Sequence, residues 1–312
     1  MVPLSSCLYQ HAKAGMMWRT IFLLMMVTKF LVGALPDTRA AVFDNLGPSL
    51  AASMAHGTTI AVPCRSGDEG ECDGVLILTR TPKQSYHQVT NDVDPREQKL
   101  ADLNVVLHDP LDFTDQSLHP RRWNIMGETS VVCMTGFSPE VHLLMRLLEE
   151  MVDVERQVMS SNVRDQTQSA ASLVKSLAGI YQNAALDVTS RPLGVAVLLV
   201  GRSTDRRRWH IWTLDPAGNL QSHIGGAVIG KASPVILPKL RNIPGDTPRE
   251  SLKQAMQVLR ESLQDSSIST ASLDSDVYEA ILIHWLEDRM QVGCVSEKDI
   301  QACLHATSKK AS

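Results

Sequence analysis

The sequence predicts an α+β fold in which two antiparallel sheets lie between layers of helices. One observation behind this prediction is that hairpin strands occur in groups, which amphipathic helices separate along the chain. Another is that several strands are apolar on both faces, such as GVLIL at 74–78 and GVAVLLV at 194–200. Strands of this kind are covered on both sides. Two sheets packed on each other, with helices outside them, satisfy that requirement.

The first 40 residues form an N-terminal extension with the pattern of a targeting segment. Arg19 precedes an apolar run from Ile21 to Leu35, which has the length of a signal-peptide core and is short for a membrane span. Because Lys29 interrupts the run, two interpretations stay open: a cleaved secretory or organellar targeting segment within residues 16–40, or an extended N-terminus. Neither predicts a stable membrane span. We expect the folded domain to comprise residues 41–312.

The first part of that domain predicts a short helix and then strands. Residues 41–57 are compatible with a helix, because small and apolar residues follow Pro48-Ser49. The segments at 57–64 and 73–81 are apolar and rich in β-branched residues, which predicts a hairpin with a long loop. Residues 82–120 are polar and contain several prolines, and they predict a surface excursion with one short strand at 103–107. A further hairpin is predicted at 122–136, turning at Gly127-Glu128.

Helical periodicity follows. Ser138 before Pro139 is a good helix start, and a second apolar stripe at helical spacing lies within 173–184. Strands are then predicted at 193–200 and 209–214, with the polar turn that contains Arg206, Arg207 and Arg208 between them. A capping box at 247–250 predicts a third helix, and Ser296 predicts a last helix through Leu304. The segment 277–287 is ambiguous between helix and strand.

Composition excludes several function classes. The net charge is −4 and no basic stripe is present beyond the three arginines of the polar turn, so we expect no nucleic-acid partner. The six cysteines have no C-x-x-C spacing and no histidine at zinc-finger distance, so we expect no metal site and no cofactor. Cys64 and Cys72 could close the loop between them as a disulfide in an oxidising compartment, and otherwise are two reduced thiols.

Three motifs in one order resemble the α-type subunits of the proteasome core particle. RPLGVAVLLVG at 191–201 is similar to the family's Arg-Pro-aromatic-Gly-Val strand, DPAG at 215–218 to its Asp-Pro-Ser-Gly turn, and AVIG at 227–230 to its Ala-x-x-Ile-Gly strand end. The stretch from Ser130 to Leu148 looks like its small-residue strand, turn and long helix. The residues that carry the resemblance are Gly136, Arg191, Pro192, Gly194, Gly201, Asp215, Pro216, Gly218 and Gly230.

This resemblance covers about residues 41–305 and is most specific from 122 to 230. It implies the four-layer αββα sandwich of the N-terminal-nucleophile hydrolases. It further implies a non-catalytic subunit in stacked rings with other α and β subunits, with regulatory caps as possible partners. Such a subunit would contribute to ring assembly and to gated substrate entry in ubiquitin-dependent degradation, in the cytoplasm and nucleus. The segment VFDNLGPSL at 42–50 keeps little of the family's opening pattern, and residues 82–120 look like an atypical insertion.

The alternative is an active β-type threonine peptidase. Subunits of that type use an N-terminal threonine whose own amine is the base, and cleavage after Gly57 would expose Thr58 in that position. The family pattern then requires Asp-x-Arg in the next strand, where this chain has Leu78-Thr79-Arg80. It also requires a lysine where this chain has Arg121 and Arg122, and arginine stays protonated. We therefore expect no catalysis by this chain. A third interpretation, a diverged paralogue acting outside the cytosol, rests on the N-terminal extension.

Overall fold

Six helices and twelve strands make up the fold within the residues that the structure describes. The structure is a computed structural model, and it describes residues 42–55, 57–64, 74–81, 97–100, 103–108, 123–160, 170–186, 191–202, 209–240, 247–265, 276–286 and 289–308. The helices are α1 (Val42–Ala55), α2 (Ser138–Ser160), α3 (Ala170–Leu186), α4 (Ser233–Leu240), α5 (Pro248–Asp265) and α6 (Glu297–Ser308). The strands are β1 (Thr58–Cys64), β2 (Gly74–Thr81), β3 (Glu97–Leu100), β4 (Leu103–His108), β5 (Trp123–Met126), β6 (Ser130–Gly136), β7 (Val195–Arg202), β8 (Trp209–Leu214), β9 (Leu220–His223), β10 (Ala227–Gly230), β11 (Val277–Leu286) and β12 (Arg289–Val295).

The strands form two antiparallel sheets. Sheet A has the order β10-β1-β2-β11-β12-β4-β3, and sheet B has the order β5-β6-β7-β8-β9. The chain passes from sheet B to sheet A in three residues, Ile224–Gly226, since β9 pairs with β8 and β10 pairs with β1. This short crossing brings the two sheets together beside Ala61, in the middle of β1.

The sheets lie between two layers of helices, as the sequence predicted. Strand β7 illustrates the arrangement: Val197 and Leu199 pack with α2 and α3, while Leu198 and Val200 pack between the sheets. On the other side, α4, α5 and α6 pack on the outer face of sheet A. Three apolar cores therefore separate four layers. Full burial of each large aliphatic side chain contributes about 1.5–3 kcal/mol, so the two-sided strands hold the sandwich together.

The predicted helices are present. In α5 the N–H of Glu250 lies 3.5 Å from the Thr247 hydroxyl, as the capping box predicts, whereas at the start of α2 the first N–H groups donate to the carbonyl of Phe137. In α6 the N–H of Asp299 donates to the hydroxyl of Ser296 at 3.2 Å. The expected helix within 41–57 is α1, which begins at Val42 and accommodates Pro48 in its interior.

The predicted strands are also confirmed, with small shifts in their ends. The hairpin turn after β5 contains Gly127 at a φ of 64°, a conformation that glycine adopts without strain. The ambiguous segment at 277–287 is strand β11, which is the central partner of β2 and β12. Strand β7 begins at Val195, two residues later than predicted, because Gly194 lies in a bend and its carbonyl accepts the N–H of Phe137 at 3.0 Å.

Several elements were not predicted from the sequence. Within the expected surface excursion the structure contains the predicted strand β4 and also β3, and this hairpin extends sheet A beyond β12. Helix α4 and strand β12 were missed as well. Residues 1–40, Cys72, Arg121, Arg122 and Arg206–Arg208 lie outside the described residues, so the predictions on them stay predictions. Among the described helices, none has the length and apolar character needed to cross a membrane.

Candidate functional site around Thr58

Thr58 is the first residue of β1 and is enclosed on both sides. It pairs with Gly230 of β10 and with Arg80 of β2, and it is 0% exposed. Its hydroxyl donates a hydrogen bond to the backbone carbonyl of Lys231 at 3.0 Å. The proton that a nucleophilic threonine must lose is therefore held by a main-chain acceptor, which cannot act as a base.

The peptide bond before Thr58 is part of a close backbone contact. The carbonyl of Gly57 accepts a hydrogen bond from the N–H of Lys231 at 2.8 Å. Gly230 has a φ of 90°, and a Cβ at that position would lie 2.2 Å from the Gly57 carbonyl oxygen. A side chain at residue 230 would therefore separate β10 from the start of β1. Gly230 is the motif residue that permits this contact.

The side chains next to Thr58 offer no carboxylate in contact with it. Alternation along the strands puts Thr58 on the same face of sheet A as Leu78 and Arg80. Leu78 is buried in the core under α5. Arg80 is also buried, and its Nε donates to a carboxylate oxygen of Asp276 at 2.6 Å. A guanidinium remains protonated in proteins, so Arg80 cannot accept the threonine proton.

Tyr278 completes this buried cluster. Burial raises the pKa of Tyr278 to about 12, with the Asp276 charge acting in the same direction and Arg80 and Arg260 acting against it. The phenol therefore stays neutral at physiological pH. Of the Arg80 guanidinium, Nη1 is buried with no hydrogen-bond partner among the described residues. The cluster contains an ion pair and a neutral phenol, and it supplies neither a general base nor a free carboxylate.

A second ion pair organises the turn before β7. Arg191 pairs with Glu140 of α2, and the other carboxylate oxygen of Glu140 accepts the N–H of Gly194 at 2.7 Å. Gly136 has a φ of 146°, and a Cβ on it would lie 2.1 Å from the Gly194 carbonyl oxygen. Helix α2, the end of β6 and the start of β7 are thus joined through one carboxylate and one close glycine contact.

Helix α1 rests on that turn. The hydroxyl of Ser49 donates to the carbonyl of Pro192 at 2.7 Å. A Cβ on Gly194 would lie 3.0 Å from the Cβ of Ala52, so the absence of a side chain at residue 194 lets α1 approach. The helix also contacts β6 and β10. It therefore spans from the Arg191–Gly194 turn to the strand beside Thr58.

The remaining motif residues shape turns and packing. A Cβ on Gly201 would lie 2.2 Å from Ala170, so α3 begins directly against β7. Asp215 accepts hydrogen bonds at 2.9 Å from the N–H groups of Ala217 and Asn219, and Pro216 lies inside this turn. Gly218 adopts a φ of 81° in the same turn. These contacts give the motif positions structural roles in turns and in close packing.

Three side chains that organise this region were not singled out from the sequence. Glu140 looks like an ordinary acidic residue in a first helical turn, Ser49 was noted only beside Pro48 in the expected first helix, and Asp276 has no sequence signature. Among the described residues, no three histidine, cysteine, aspartate or glutamate side chains cluster as metal ligands would. Apolar side chains of α3 and strands β7–β9 line a shallow cleft away from Thr58, which has no room for a water molecule.

Comparison with known proteins identifies the family. The family model described as Proteasome subunit matches residues 119–279, which is more than half of the chain. The match runs from just before β5 to the start of β11 and includes all nine residues that carried the resemblance. No curated protein matches the chain significantly. With two antiparallel sheets between helical layers, and with this match, the chain belongs to the proteasome subunit family.

Proposed function

We propose that the chain is a non-catalytic, α-type subunit of the proteasome core, which contributes to ring assembly and to gated entry of substrates in ubiquitin-dependent degradation. The observation that carries the proposal is the state of Thr58. Its hydroxyl donates to a main-chain carbonyl, and its neighbours on the same face of sheet A are the aliphatic Leu78 and Arg80, which is paired with Asp276. Catalysis by an N-terminal threonine requires a free amine and tuning groups that act together.

Helix α1 gives independent support. It immediately precedes Thr58, and it is fixed by Ser49 and Ala52 to the Arg191–Gly194 turn. Release of Thr58 as an N-terminus would cut the chain between this docked helix and β1. A subunit that keeps α1 retains a surface for ring neighbours. In that subunit Thr58 is not an N-terminal residue and cannot act as the nucleophile.

The assembly partners follow from the family. Rings of one subunit family are built from heterologous contacts that close by symmetry, so we propose other proteasome α and β subunits as neighbours and regulatory caps as further partners. We propose residence in the cytoplasm and nucleus. Residues 16–40 are the reason to test this with a tag at the C-terminus, because a cleaved targeting segment would send the same fusion elsewhere.

The decisive experiment substitutes Thr58 in an assembled complex that contains the chain. We expect Thr58→Ala to leave the rate of peptide hydrolysis unchanged, because the described side chains around its hydroxyl include no base. The matched control is Thr59→Ala, which removes the same atoms from the neighbouring buried residue, whose hydroxyl contacts Thr79. The β-type peptidase would lose one peptidase activity with Thr58→Ala and not with the control. Intact-mass measurement of a mature chain that begins at Thr58 would also favour it.

A further inference from the structure

We draw no further inference here: the strongest candidate, the exposed apolar face that Pro234, Val235 and Pro238 form on α4, carries nothing because nothing in the structure shows what covers it.

Discussion

The Arg80–Asp276 and Arg191–Glu140 pairs have the same chemistry and different surroundings. In the first pair both side chains are almost fully buried, at 4% and 5% exposed, and they connect neighbouring strands within sheet A. In the second pair Arg191 is 32% exposed while Glu140 is buried. Glu140 also accepts the N–H of Gly194, so it joins α2 to the turn on which α1 rests. The first pair stabilises a sheet, and the second positions a helix.

This contrast shows that burial decides how much stability the protein loses when an ion pair is broken. A buried charge left alone carries its full desolvation cost, whereas a partly exposed arginine can turn to water. Breaking the two pairs should therefore lower the free energy of unfolding by different amounts, and it should affect different parts of the domain. Loss of the first should weaken the whole domain, and loss of the second should loosen α1 above all.

The largest effect is expected for Asp276→Ala. The substitution leaves the Arg80 guanidinium buried with no carboxylate, and one of its nitrogens already lacks a partner among the described residues. We expect the free energy of unfolding to fall by about 3–5 kcal/mol, measured by urea denaturation. The double variant Arg80→Met/Asp276→Ala is the control, because it removes the stranded charge and should recover part of the loss. A decrease below about 1 kcal/mol in the single variant would contradict this account of the pair.

Intermediate effects are expected for Glu140→Ala and for Arg191→Ala. The first variant strands the Gly194 N–H, which costs about 1–3 kcal/mol, whereas the partly exposed Arg191 can turn to water. The second leaves the buried Glu140 carboxylate without its arginine but still bonded to the Gly194 N–H, which costs about 1.5–3 kcal/mol. Hydrogen exchange should show faster exchange in α1 in the Glu140 variant than in the Asp276 variant at matched global stability. Equal protection of α1 in both variants would mean that Glu140 does not position the helix.

Much of the fold was predictable because it follows from local patterns. Two-sided apolar runs predicted β2 and β7, and capping residues predicted α5 and α6. The elements that were missed lack such patterns. Strand β3 is EQKL, a polar segment that becomes a strand because β4 offers it a partner edge, and α4 contains Pro238.

The site was less predictable than the fold, because its contacts are long-range. Gly230 was noted in the sequence. The reason that a glycine is needed there is the close carbonyl of Gly57, which lies far away in the chain. Thr58 and Leu78 were both noted, whereas the bond from Thr58 to the Lys231 carbonyl has no signature in the sequence. Asp276 precedes β11 and becomes the partner of Arg80 only when β11 pairs with β2. Pairing between distant strands created these contacts.

The smallest effect on stability is expected near the other end of β11. There the buried group is a single histidine, His284, and not an ion pair. His284 is buried, its Nε2 lies 3.1 Å from the Gln291 side-chain oxygen, and its Nδ1 has no hydrogen-bond partner among the described residues. Burial lowers the pKa of His284 below its ordinary value of 6.5, and the Gln291 contact opposes this in part. The folded state therefore binds fewer protons than the unfolded state as the pH falls through that value.

Stability should consequently be complete above about pH 6.5 and decrease as the pH falls below it, with a slope from this one proton of no more than about 1.4 kcal/mol per pH unit. His284→Gln, which cannot take up a proton, should flatten the profile between about pH 7 and pH 5. His142→Gln is the matched control, because it makes the same exchange at an exposed histidine. Urea denaturation at each pH gives the profile. If the His284 variant keeps the wild-type slope, the acid sensitivity arises from other groups, and burial of His284 contributes nothing measurable to it.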